Sequence, residues 1–193
     1  MAFTIDAGRF TNSGTIRGGF TMGDRSNYLN TTKGLIYGKI STMGGNDTVL
    51  GGKVGESIDG GTGNDVLNGG LGNDKLLGGE GRDVLIGGVG RDSFIFGASP
   101  LADNADRIRD FSSVDDTFQI RKAFFSAFTS GGKLSSDAFR LGAKAADAED
   151  RIVYNKTNGN LYYDADGTGA EAQVLIATLT NKAKVALSDF IIV

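Results

Sequence analysis

The chain has 193 residues, with 20 Lys and Arg against 23 Asp and Glu for a formal net charge of -3, so it carries no basic surplus with which to hold nucleic acid or an anionic membrane surface. Cysteine and histidine are both absent, which excludes disulfides, thiolate metal sites, Ser-His-Asp and Cys-His nucleophiles and the H-E-x-x-H zinc motif. The length suits one compact domain or two small ones.

The first residues, "MAFTIDAGRFTNSGTIRGGF", lack a basic stretch followed by an apolar one and do not read as a cleaved secretory signal. No segment approaches the roughly 18 apolar residues of a membrane span. A loose echo runs at a spacing of 20: Gly14, Ile16, Gly18 and Phe20 return as Gly34, Ile36, Gly38 and Ile40. Residues 12–50 therefore read as irregular coils of a solenoid, and residues 1–11 as a cover for its open edge, since an uncovered strand edge invites aggregation. From residue 42 a nine-residue phrase emerges. "TMGGNDTVL" (42–50) has Gly45, Asp47 and Val49 in place, whereas "GGKVGESID" (51–59) has Glu56 at the aspartate place and Val54 at a glycine place. Asp47 is a ligand candidate, since its loop can pair with the 60–68 repeat across 18 residues, and Glu56 is not counted among the ligands.

Residues 60–95 then repeat the phrase without a break, as "GGTGNDVLN", "GGLGNDKLL", "GGEGRDVLI" and "GGVGRDSFI". Glycines at the first, second and fourth places allow backbone conformations that a Cβ resists, so six residues turn tightly and the last three form a short strand. Side chains alternate along a strand, which points Leu67, Leu76, Leu85 and Phe94 inward. Two nonapeptides per coil put residues 18 apart in adjacent coils, about 4.8 Å from each other. Asp65 then lies over Asp83, and Asp74 over Asp92. Stacked carboxylates repel unless a cation lies between them, and calcium accepts carboxylate and carbonyl oxygens together. All four phrases fit G-G-x-G-x-D-x-U-x and are similar to the calcium-binding β-roll repeats of the RTX (repeats-in-toxin) family. This resemblance implies several Ca2+ ions held by the four aspartates. It also implies backbone oxygens from Gly60, Thr62, Gly79 and Gly81 for the Asp65/Asp83 site, and from Gly69, Leu71, Gly88 and Gly90 for the Asp74/Asp92 site.

After Gly97 glycine thins out, phenylalanine becomes common and the single proline, Pro100, marks a boundary. Strands are predicted around Ile108, Phe111, Phe118 and Ile120, a short helix over 121–128, a hairpin over 150–167 turning at Thr157-Asn158-Gly159, and strands at 173–179 and 189–193. Asp106 and Asp110 either close the acidic stack or cap strands. Asp164 and Asp166 either bind calcium or form the hairpin's end. The segments "DRIRDF", "GNLYYDADGTG", "VLIATL" and the final "DFIIV" resemble the C-terminal domain that follows the calcium roll in serralysin-type metalloproteases and related proteins exported by type I machinery. That resemblance implies an export signal at the C-terminus.

The expected fold is all-β: a parallel β-roll or β-helix solenoid followed by a small C-terminal β-rich domain. Residues 1–41 form irregular coils or a cap, 42–97 the calcium-binding roll, and 98–193 the secretion and capping domain. The expected protein is secreted, extracellular or cell-surface associated, and catalyses no reaction. Its partners are the type I secretion machinery during export and, outside, a cell-surface or polysaccharide target. The alternative is an accessory polysaccharide-binding module of a larger secreted enzyme such as an alginate epimerase, for which Arg82, Arg91, Lys75 and Tyr28 are the available side chains.

Overall fold

The computed structural model describes residues 3–5 and 8–193. The first coils have three faces. Strands β1 (Phe3–Ile5), β2 (Arg9–Thr11), β3 (Thr15–Ile16) and β4 (Phe20–Met22) are followed by β5 (Tyr28–Asn30), β6 (Leu35–Ile36) and β7 (Lys39–Ser41). β2 pairs with β5, β3 with β6 and β4 with β7, all in parallel. Ile16 lies opposite Ile36 and Phe20 opposite Ile40, so the 20-residue spacing of the sequence is the length of one three-faced coil.

The third face then disappears. Strands β8 (Thr48–Leu50), β9 (Ser57–Thr62), β10 (Val66–Leu71), β11 (Lys75–Glu80), β12 (Val84–Val89) and β13 (Ser93–Phe96) alternate between two sheets. Each residue now meets one 18 positions on: Leu67 faces Leu85, and Leu76 faces both Ile58 and Phe94. Inward side chains stack in two columns. One runs through Ile40, Ile58, Leu76, Phe94 and Phe118, the other through Leu29, Val49, Leu67, Leu85 and Ile108, and all are buried. Two columns of apolar contacts make up most of the core of the roll, so its stability is close to a sum over coils.

Beyond β13 the coil lengthens, and β14 (Asp106–Ile108) and β15 (Thr117–Ile120) still add to the two sheets in parallel. The chain then leaves to form β16 (Gly132–Lys133), β17 (Phe139–Leu141), β18 (Ile152–Asn155) and β19 (Asn160–Tyr163). β18 and β19 are an antiparallel hairpin turned at Gly159, whose φ is 82°. The chain returns as β20 (Val174–Leu179) and β21 (Phe190–Ile192), which lie parallel to β14 and β15 and complete a last coil. Both sheets thus run across the compositional seam at 97–100. Phe118 is sandwiched between Phe111, with ring centroids 4.1 Å apart, and Phe190, at 5.1 Å.

The short helix expected over 121–128 is absent; the segment is a pair of turns. Phe124 and Phe128 donate backbone N–H bonds to Arg121 and Phe125, three residues back. Phe125 stands edge-on to Tyr163 with centroids 5.0 Å apart, and the Tyr163 hydroxyl accepts the Ala127 N–H at 2.8 Å. Anchoring to one tyrosine overrides the weak helical preference of so short a run. Among the described residues no helix is long and apolar enough to cross a membrane.

Candidate metal centre

Each acidic residue ends a turn and precedes a strand whose second residue enters the core. Burial of Leu67, Leu76, Leu85 and Phe94 therefore fixes where Asp65, Asp74, Asp83 and Asp92 sit, and all four are buried. Two ladders result. In the first, the Asn27 N–H donates to Asp47 Oδ1 at 2.6 Å, Asp47 to Asp65 at 2.7 Å, Asp65 to Asp83 at 2.8 Å and Asp83 to Asp106 at 3.1 Å. In the second, the Glu56 N–H donates to Asp74 Oδ1 at 2.6 Å, Asp74 to Asp92 at 2.9 Å and Asp92 to Asp116 at 2.9 Å. One carboxylate oxygen per rung thus ties adjacent coils together. The other is left over: Oδ2 of Asp47, Asp65, Asp74 and Asp83 is buried with no hydrogen-bond partner, an arrangement that costs several kcal/mol for a charged group unless something binds it (about 1–3 kcal/mol even for a neutral one).

The free oxygens of Asp65, Asp74 and Asp83 point into cradles, whereas Asp47 has Thr42 at the corresponding place. A Cβ added to Gly60 would strike Asp65 Oδ2 and come within 2.6 Å of the Gly78 carbonyl oxygen; one added to Gly69 would strike Asp74 Oδ2 and come within 2.7 Å of the Gly87 carbonyl oxygen. Gly78 and Gly87 face Asp83 and Asp92 in the same way. The first-place glycines are therefore there for space. The expectation that they supply unusual backbone angles is corrected: the left-handed region is used at the second and fourth places, as at Gly79 (φ 110°) and Gly81 (φ 117°).

These pockets suit a hard cation. Among the described residues no group of three or more acidic side chains is placed to hold one ion, so an ion on the ladder would combine carboxylates with backbone carbonyls, the mixed oxygen set that calcium accepts. The electrostatics agree. Burial pushes the Asp65 carboxyl up to about 7, with Asp83 and Asp47 adding to the rise against the opposing Asp47 N–H bond. Burial raises Asp74 and Asp83 to about 6 and Glu56 to about 8. Asp47, Asp92 and Asp116 are raised for the same first reason, and Asp106 well above the usual range. Without a cation the ladders favour protons.

Asp65 meets Asp83, Asp74 meets Asp92 and Asp47 extends the first ladder. Among the carbonyls expected as ligands, Gly60 O accepts the Thr42 hydroxyl at 2.8 Å and Thr62 O the Gly45 N–H at 2.9 Å. Gly79 and Gly81 sit directly over the carbonyls of Gly61 and Gly63, and Gly88 and Gly90 over those of Gly70 and Gly72. Gly69 forms the Asp74 cradle, and Leu71 is half exposed at the strand end. Asp106 closes the first ladder. Asp110 accepts the Gly87 and Gly88 N–H groups, each at 2.9 Å. Asp116, which closes the second ladder, escaped the sequence reading because a longer coil puts it 24 residues after Asp92. Its signal is an acid two residues before an inward apolar residue, Asp116-Thr117-Phe118, the same triplet as Asp65-Val66-Leu67. Asp164 Oδ1 accepts the N–H groups of Asp166 and Gly167, at 3.3 and 2.8 Å, within its own turn. Tyr28 and Lys75 lie on different sheets, and Arg82 pairs with Asp103 at 3.1 Å.

Residues 57–97 match the family described as the RTX calcium-binding nonapeptide repeat, in four copies. These are RTX repeats. Their cofactor is calcium, and RTX repeats bind several ions. The chain is also similar to a solved structure, the solution structure of the AlgE6R3 subunit from the Azotobacter vinelandii mannuronan C5-epimerase, at 27% identity over 75% of this chain and 77% of that one, with a TM-score of 0.47. No curated protein matches the chain.

Proposed function

We propose that this is a secreted, non-catalytic calcium-binding protein whose RTX roll folds when it meets extracellular calcium. The observation that carries this reading is the pair of ladders whose buried carboxylate oxygens lack partners. Bound calcium supplies positive charge and an oxygen-coordinating centre, at the roughly 10⁻⁴–10⁻³ M affinity of extracellular calcium modules. The chain supplies a turn that holds one oxygen of each aspartate on the neighbouring coil and turns the other towards a glycine cradle. At neutral pH and without the cation the ladders oppose compaction, which couples binding to folding.

Export through type I machinery by a C-terminal signal completes the reading. In the folded chain Phe190 and Ile192 are buried against β15, and Asp189 accepts the Ser113 hydroxyl at 2.7 Å. Such a tail is readable only while the chain is unfolded, which a calcium-poor cytoplasm would ensure. The test is far-UV circular dichroism of the chain titrated with calcium from a chelated start. A cooperative gain of β signal in the sub-millimolar to millimolar range, weakened in Asp65→Ala and Asp83→Ala, is expected. A full β spectrum under chelation that calcium leaves unchanged would overturn the proposal.

A further inference from the structure

The loop over 51–56 departs from the repeats in a way that changes where its carboxylate goes. Asp65, Asp74, Asp83 and Asp92 each face the first glycine of their own loop. Glu56 is one methylene longer, and its Oε1 faces the second glycine instead. A Cβ added to Gly52 would lie 2.8 Å from Glu56 Oε1, 3.0 Å from the Gly34 carbonyl oxygen and 3.0 Å from the Thr31 carbonyl oxygen. Those two carbonyls belong to the corner of the preceding three-faced coil, outside the matched repeats.

Glu56 is 2% exposed, and neither of its carboxylate oxygens has a hydrogen-bond partner. The corner is already held in shape. The Gly34 N–H closes the turn on the Thr31 carbonyl at 2.9 Å, and Asn12 Nδ2 donates to Thr31 Oγ1 at 3.2 Å and to the Leu35 carbonyl at 3.3 Å. A carbonyl has two lone pairs, so Thr31 O keeps one free for a ligand. Three oxygens thus gather beside one α-carbon; the Gly34 N–H satisfies only one lone pair of Thr31 O, the Gly52 N–H lies near the Glu56 carboxylate, and neither Glu56 oxygen completes a hydrogen bond.

We propose that Glu56, with the carbonyls of Thr31 and Gly34, forms a further calcium site at the junction of the three-faced coils and the roll. It differs from the ladder cradles in taking its carbonyls from a coil that has no repeat. An ion held there would fasten the first coils to the roll. The inference rests on the calcium reading above for the identity of the cation.

The test counts ions bound to the full chain by equilibrium dialysis against calcium, for the unaltered protein, Glu56→Gln, Gly52→Ala and, as reference, Asp65→Asn. Glu56→Gln and Gly52→Ala should each bind one ion fewer while keeping the calcium-induced β signal. The melting temperature at saturating calcium gives a second readout. Removing a buried charge that nothing balances raises it, whereas removing a ligand lowers it, and Glu56→Gln should lower it. An unchanged ion count, or a melting temperature that rises or stays put, overturns the site while leaving the ladder intact. An unaltered chain that binds no calcium overturns both.

Discussion

Neighbouring glycines in one turn answer to different constraints, and substitution separates them. Gly78 has ordinary backbone angles but no room: a methyl group there would collide with the Asp83 carboxylate. Gly79 has a φ of 110° and the Gly61 carbonyl against its α-carbon. Gly78→Ala should therefore act through calcium, moving the folding midpoint to several-fold higher concentration with most of the stability recovered at saturation. Gly79→Ala strains the backbone whether or not the ion is present and should cost about 1–3 kcal/mol even at saturation. Calcium titrations, followed by urea unfolding in excess calcium, distinguish the two. Equal behaviour of the two variants would mean that the first-place glycine is no cradle.

At the scale of the strand, the core is thin enough for one side chain to matter. Leu76 is fully buried between Ile58 and Phe94, so Leu76→Ala should cost about 2–5 kcal/mol. Val89, 68% exposed at the end of its strand, should change stability by no more than about 0.5 kcal/mol when cut to Ala. Urea unfolding at saturating calcium measures both. The same stacking explains which elements the sequence revealed. From β8 to β13 the turn, the acid and the inward residue recur at fixed intervals, so register, core stripe and aspartate pairing all followed from spacing. The 20-residue echo located Ile16 over Ile36 but held no sign of a third face, because β3 and β6 are only two residues each. Asp116 was lost when the coil lengthened. The return of β20 and β21 was beyond reach for a different reason: Phe118 and Phe190 lie in register across 72 positions, and no local pattern links them. The turns at 121–128 depend likewise on Tyr163, a residue far along the chain.

For the molecule as a whole, the two ladders make stability depend on pH in opposite senses with and without calcium. Aspartates that titrate near 3.8 when free are raised in the metal-free fold, to about 7 at Asp65 and about 6 at Asp74 and Asp83, while Glu56 moves from 4.5 to about 8. Between about pH 4 and pH 8 the fold then holds more protons than the unfolded chain, so its stability falls as pH rises. The contribution is complete below the unfolded values and lost as pH climbs through the folded ones. Calcium competes with those protons, so its apparent affinity rises over the same interval. Chelated protein should accordingly show more β structure and resist more urea at pH 5.5 than at pH 8, while the calcium concentration needed for half-folding should increase as the pH is lowered. Circular dichroism at the two pH values, with and without chelator, reads both effects. A chelated chain equally stable at pH 5.5 and pH 8 would mean that the ladder carboxyls are not buried as neutral groups, and that folding is not held back by their charge.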